Sequence, residues 1–422
     1  MINIPYSKTI VSNGVEVITV KKRKFYEFQI MLFVNFGSLN NSFQIENGEK
    51  KILIPKGTAH FLEHTMFYMP GGEDIIKKFA KMGASINAFT TFETTSYLLS
   101  CTDRLYDNLE LLIKLVSAPC FGHDIIKNEK GIIEQELRMY EDNARIRVFF
   151  NLLRGLYGDH HPISTPILGT IEDLKGIDKY ILEQTYEAFY RPENIKILVI
   201  GDIDHKEIIN VIERQQINKK KKLNLTTGNY INKSCNEVVT SWIEDKMHIS
   251  QPRIILGYKD KSLSLRGNEL LRYEYSTKIG LEALIGNSSE LFQELYQSGM
   301  INKGFSWSYE ASSLYAYSTV GGECKNPEVI LKEWNRAVQL LIENGLNYFD
   351  FQRAKAKIIG RLLELNDSLK KLCRNISGYL ARGADFLNVI TILQELTKEQ
   401  VQRRIQEHLC SSRMCTSVVY PI

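Results

Sequence analysis

The chain has 422 residues, 44% of them hydrophobic and 24% charged, which is the balance of a globular protein too long for one ordinary core. A formal net charge of +4 is too small for a dedicated nucleic-acid binder, and no apolar run approaches the ~18–20 residues that span a bilayer. Seven scattered cysteines without a CxxC pair argue for reduced thiols rather than a disulfide framework. Met1 to Lys8 carry no secretory pattern, so the expected setting is the cytoplasm.

In chain order, Gly14 to Val20 and Phe28 to Val34 read as antiparallel strands, and a helix containing His60 and His64 follows. Strand-like stretches come next, at Ser85 to Ala88 and Thr94 to Cys101, then long helical patterns at Leu105 to Val116 and His123 to Tyr140. Strands in a run with helices on one face predict α+β architecture. Between Gln215 and Asn236 a lysine run, Lys219 to Lys222, and polar residues leave little to bury. The expected organisation is therefore a domain over 1–214, an exposed linker over 215–236 and a second domain over 237–422. Further helical patterns occupy Asn326 to Asn344 and Tyr348 to Leu365. Leu174 to Ile203 and Leu393 to Ile422 both run from a helical pattern through a turn into a strand, and they align without a gap at an offset of about 219 residues. The two halves thus read as copies of one α+β unit.

The chemistry concentrates in His60-Phe61-Leu62-Glu63-His64. Residues four apart are neighbours on a helix, so both imidazoles reach one ion and Glu63 lies beside its open position. Hydrolytic zinc takes three protein ligands and a water, so a third ligand must come from elsewhere. Candidates lie on the helix from His123 to Tyr140. Glu129 and Glu136 are seven apart on a face shared with Ile132, Ile133 and Tyr140, whereas Glu134 points to solvent. A carboxylate on an apolar face is costly unless paired or metal-bound. Helical geometry leaves the choice between Glu129 and Glu136 open, and also leaves open an ion pair with Arg138 or Arg145.

The pentapeptide, preceded by Gly57 and followed by Met66-Phe67, resembles the inverted zinc motif of the insulinase/pitrilysin (inverzincin) metallopeptidases. Asn87-Ala88 with Thr94-Thr95-Ser96-Tyr97, and Asn128 to Leu137, resemble that family's sheet edge and distal-glutamate helix. His161-Pro162, Gly169-Thr170, Tyr190 to Asn194 and Gly201-Asp202 continue the match, and Leu291 to Gly322 is similar to the non-catalytic repeat. The resemblance implies one Zn²⁺ per chain held by His60, His64 and Glu136, with Glu63 as general base and Glu129 orienting a ligand from behind. It implies a peptide substrate pairing with the strand at Asn87 and Ala88. It also implies two homologous α+β domains, 1–214 catalytic and 237–422 not, which form half of a clamshell chamber completed by a homologous subunit, identical or zinc-free. The activity implied is zinc-dependent endopeptidase cleavage of short or unfolded peptides, as in leader removal during bacteriocin maturation. The other reading is a weakly active or silent peptide-binding subunit. Many active members also carry an Arg and a Tyr in the late repeat. Here Leu295 to Gly299 holds no Arg, and Phe305, Trp307 and Tyr309 stand nearest the Tyr position.

Overall fold

The computed structural model describes residues 6–45, 51–215, 217, 225–229, 237–261, 265–312, 314–386 and 388–422. The chain forms two compact units. In the first, strands β1 (Tyr6–Ile10), β2 (Glu16–Lys21), β3 (Phe28–Val34), β4 (Ala84–Thr90), β5 (Thr95–Cys101) and β6 (Ile195–Gly201) make one sheet in the order β1-β2-β6-β3-β5-β4. β3 is apolar and buried along nearly its whole length, as a strand covered on both faces must be. It is antiparallel to both neighbours, β5 and β6, while β2 and β6 are parallel. β4 is left at the edge.

Five helices matter here: α1 (Thr58–Thr65), α2 (Leu105–Ser117), α3 (His123–Glu141), α4 (Ala144–Tyr157) and α5 (Lys179–Phe189). Local chemistry starts several of them. Asn143 caps α4 by accepting from the amides of Arg145 and Ile146, and Asp178 caps α5 through Ile181. Helix α1 has no side-chain cap and begins at Gly57, whose φ of 85° suits glycine. A Cβ there would meet the Leu168 carbonyl oxygen at 2.2 Å, and one on Gly169 would meet the Lys56 carbonyl oxygen at 2.5 Å. Two chain segments thus touch backbone to backbone and set the entry of α1.

The second half of the chain supplies β7 (Trp242–Met247), β8 (Arg253–Lys259), α6 (Gly267–Ile285), β9 (Ser306–Ala311), β10 (Ala316–Glu323), α7 (Pro327–Asn344), α8 (Tyr348–Glu364), α9 (Leu369–Ala381), α10 (Lys398–His408) and β11 (Met414–Pro421), all but α9 belonging to the second unit. Its sheet order is β7-β11-β8-β10-β9, with β7 and β11 parallel. Without β1, the first sheet has the same order and the same strand directions. Helix α5, the turn at Pro192–Asn194 and β6 are repeated by α10, the turn at Ser411–Arg413 and β11. The protein is α+β in both units, from two copies of one topology.

The units do not follow the chain halves. Residues 138–164, which include α4, cluster with the second unit, and 365–381, which include α9, cluster with the first. Helix α4 packs on β8 and β11, and α9 packs on β3 and β6. Each sheet has helices of its own half on one face and borrows one helix for the other. The physical reason is that a sheet apolar on both faces needs two covers, and each half carries one helix that its own sheet does not use. Most of the expected linker over 215–236 lies outside the described residues, but Leu225–Asn229 is a strand paired antiparallel with Asn40–Ile45. Among the described residues no helix is long and apolar enough to cross a membrane.

Candidate metal centre

Helix α1 sits against β4 and β5 and presents His60, Glu63 and His64 on one side. The two imidazole rings are 4.5 Å apart between centroids. From α3, Glu136 brings Oε2 to 3.7 Å from His60 Nε2 and 3.8 Å from His64 Nε2. Those separations are too long for hydrogen bonds and close to the ~3.4 Å between neighbouring ligands of a tetrahedral ion with bonds of ~2.1 Å. Glu136 Oε2 is buried without a hydrogen-bond partner, and so is His60 Nδ1. An anionic oxygen left bare in this way is costly, and a cation between the three atoms removes the cost. Among the described residues this is the only such cluster of His, Cys, Asp or Glu. The donor set of two imidazoles and one carboxylate fits zinc.

The second carboxylate of α3 serves a different purpose. Glu129, 3% exposed, accepts from His64 Nδ1 at 2.8 Å through Oε2 and from the Tyr68 hydroxyl at 2.6 Å through Oε1. That bond directs the lone pair of His64 Nε2 toward Glu136 and His60. The face shared by these carboxylates departs from expectation. The buried stripe of α3 is Ile126, Glu129, Ile133 and Leu137, while Ile132 is 48% exposed and Glu136 lies at the margin. Neither glutamate has Arg138 or Arg145 as its recorded partner; their partners are the histidines and Tyr68.

Electrostatics follow the packing. Burial, aided by the neighbouring His64, drives His60 down to about 3, so its ring is neutral and has a lone pair to give. Burial also works to lower His64, but the hydrogen bond and charge of Glu129 outweigh it and hold that imidazole above its usual value. Burial works to raise Glu129, and the bonds from His64 and Tyr68 overcome it. Tyr68 is pushed up to about 12 by Glu129 first and burial second. Glu63 is raised by burial, against the hydrogen bond of 2.7 Å from Thr90 Oγ1 to its Oε2. Thr90 ends the edge strand β4 and so ties Glu63 to the strand that carries Asn87 and Ala88.

Asn87 and Ala88 lie in β4, which among the described residues is the outermost strand of its sheet. Asn87 Oδ1 accepts from the Ala88 amide at 2.8 Å. Thr90 and Tyr68 were not singled out from sequence. A signal for Tyr68 exists, since His60, His64 and Tyr68 recur at steps of four, though α1 ends before it. Phe305 and Tyr309 are each 1% exposed, and the Tyr309 hydroxyl donates to Asp260 at 2.7 Å. Trp307 donates its indole N–H to Glu282 at 3.2 Å.

With this geometry in place, comparison with known proteins is informative. Residues 17–170 match the family model described as insulinase (peptidase family M16), and 177–358 match that of the peptidase M16 inactive domain. An uncharacterized zinc protease of Bacillus subtilis, YmfH, is 32% identical over 414 residues, covering 97% of this chain and 95% of the relative. AlbF of Bacillus subtilis, also named as a zinc protease, is 29% identical over 198 residues, covering 47% of this chain and 45% of AlbF. Among solved structures, an M16-like peptidase from Alicyclobacillus acidocaldarius superposes with a TM-score of 0.94 at 32% identity, covering 100% and 99% of the two chains. Pitrilysin shares the fold, at 17% identity and a TM-score of 0.73, over 45% of its own length.

Proposed function

From the premise that this chain belongs to the insulinase family of peptidases (family M16), we propose that it is a zinc-dependent metalloendopeptidase acting on short or unfolded peptides. In this reading His60, His64 and Glu136 are the ligands, Glu63 is the general base and Glu129 orients His64. The observation that carries it is the bare, buried Oε2 of Glu136 facing both Nε2 atoms, two helical turns from Glu129, whose oxygens are taken by His64 and Tyr68. Bound zinc supplies Lewis acidity, lowering the pKa of water toward ~7 and polarising the scissile carbonyl.

The protein supplies the rest. His60 gives its lone pair because burial keeps its ring neutral. His64 gives Nε2 because Glu129 holds its Nδ1 proton. Thr90 occupies one oxygen of Glu63, which leaves Oε1 to take a proton from the attacking water and hand it to the departing amine. A carboxylate raised by burial is suited to both transfers. The substrate pairs as an added strand with β4 beside Asn87 and Ala88, so main-chain bonds bind it without demanding one sequence. A folded protein has no free strand to offer, which selects short or unfolded chains. Peptide maturation, including removal of leaders from bacteriocin precursors, is the setting we assign, with a homologous subunit as partner. The intact ligand set supports catalysis over a silent scaffolding role.

The test is Glu63→Gln. Zinc content measured by atomic emission stays at one per chain, while peptide hydrolysis falls by roughly 10²–10⁴-fold. Hydrolysis at the wild-type rate would move the base elsewhere.

A further inference from the structure

Register across the first sheet sorts the side chains of β4 onto two faces. Directly opposed residues share a face, and Phe89 opposes Ser96, Ser96 opposes Phe33, and Phe33 opposes Lys196. Lys196 donates through Nζ to the Leu380 carbonyl of α9 at 2.9 Å. This row therefore faces α9. The next residue along β4, Thr90, points the other way, to Glu63 of α1. Side chains alternate along any strand, so a peptide paired with β4 directs alternate residues toward the metal helix and toward α9.

What the α9 side offers is positive charge. The Arg374 guanidinium lies 5.1 Å from the centroid of the Phe89 ring. Arg374 is exposed, as are Lys370 and Lys371, which precede it by four and three residues and so share its side of the helix. Among the described residues no recorded ion pair involves any of the three. The Phe89 ring screens one face of the guanidinium from water, which strengthens a contact made on the other.

We propose that this side of the substrate cleft is a subsite for an acidic side chain, in which Arg374, seated on Phe89 and flanked by Lys370 and Lys371, selects Asp or Glu. The inference rests on the strand-docking reading above and adds a substrate class to it. The selected residue is the one paired beside Phe89. Since Phe89 adjoins Thr90, and Thr90 holds Glu63, it falls about one or two residues from the scissile bond. Its carboxylate meets a planar donor fork that can bind both oxygens at once.

The test uses short fluorescein-labelled peptides of alanine and leucine carrying one Glu, Gln or Lys at successive positions. Binding is read by anisotropy on zinc-loaded full-length Glu63→Gln protein, which does not consume them. At one position Glu binds about tenfold tighter than Lys, and added salt narrows the gap. Arg374→Glu in the same background reverses the order, and Arg374→Gln flattens it, with zinc content reporting that both variants remain folded. Peptides that bind equally whatever charge they carry overturn the acidic subsite, yet leave the peptidase reading intact if wild-type protein cleaves them. If wild-type protein neither binds nor cleaves any peptide, the strand-docking reading fails and the subsite fails with it.

Discussion

The same pair of helices is used in opposite ways in the two units. In the first, α1 follows the central strand β3 and meets α3, the second helix after the β4-β5 pair. In the second, α6 follows β8 and meets α8, the second helix after β9-β10. Where α1 and α3 bring together His60, His64 and Glu136, helices α6 and α8 bring together Glu282, Lys357 and Arg361. Glu282 is fully buried, with Lys357 Nζ at 2.6 Å and an Arg361 nitrogen at 3.4 Å, and Trp307 adds its indole N–H. That cluster is closed in charge, because the protein itself sets the Lys357 ammonium against Oε1 and the Arg361 and Trp307 donors against Oε2. In the first unit two lone pairs and a bare carboxylate oxygen converge on nothing the protein provides. A metal site is legible here as an interaction left incomplete beside a copy in which it is complete.

The comparison breaks most severely if the first cluster does not hold the ion. Glu136→Gln removes the anionic ligand, and zinc affinity by chelator competition should fall on the order of 10³-fold or more. Unchanged affinity would exclude Glu136 as a ligand. On the other side, Glu282→Gln leaves two cations without their buried anion. The expected loss is about 2–3 kcal/mol of stability in urea unfolding, below the ~3–5 of a fully buried pair because Lys357 and Arg361 are partly exposed. Zinc content should not change, and loss of zinc in this variant would show that the two clusters are not independent. Tyr68→Phe sharpens the picture more gently. It frees one oxygen of Glu129, loosens its hold on His64, and should weaken zinc about tenfold with the melting temperature of the zinc-free protein nearly unchanged.

The smallest effect concerns pH in the second unit. Burial, and then the charge of Lys259, push His161 down to about 4, so the unfolded chain binds this proton first as pH falls. The stability held by its neutral ring is complete above the unfolded pKa of ~6.5 and is lost progressively as pH drops from there through about 4. His161→Gln should flatten the acid limb of a thermal-unfolding profile in that window, and an unchanged limb would assign the acid sensitivity to other groups.

Local patterning made much of this legible in advance. The spacing of His60, Glu63 and His64 places them together because one helical turn does so regardless of the rest of the molecule. The long apolar periods over α2, α3, α7 and α8 marked helices within a few residues of their observed ends. The repeat of α5 and β6 as α10 and β11 was visible as an ungapped alignment, because both copies retain the same turn between helix and strand. The roles of Glu129 and Glu136 were not separable by geometry alone. Seven residues is close to two turns, so both carboxylates share a stripe, and only the tilt of α3 against α1 decides which reaches the gap between the rings and which sits behind His64.

By itself, then, the amino-acid order determined which segments are helices and strands, which helix carries paired imidazoles, and that the architecture is duplicated. These are properties of neighbours a few residues apart, and backbone geometry settles them. Tertiary structure alone decided that α4 and α9 serve the sheet of the other half, that Thr90 anchors Glu63, that Tyr68 braces Glu129, and that Arg374 stands over Phe89. Each of these depends on packing between separate elements, and no period in the sequence records where one helix comes to rest against another.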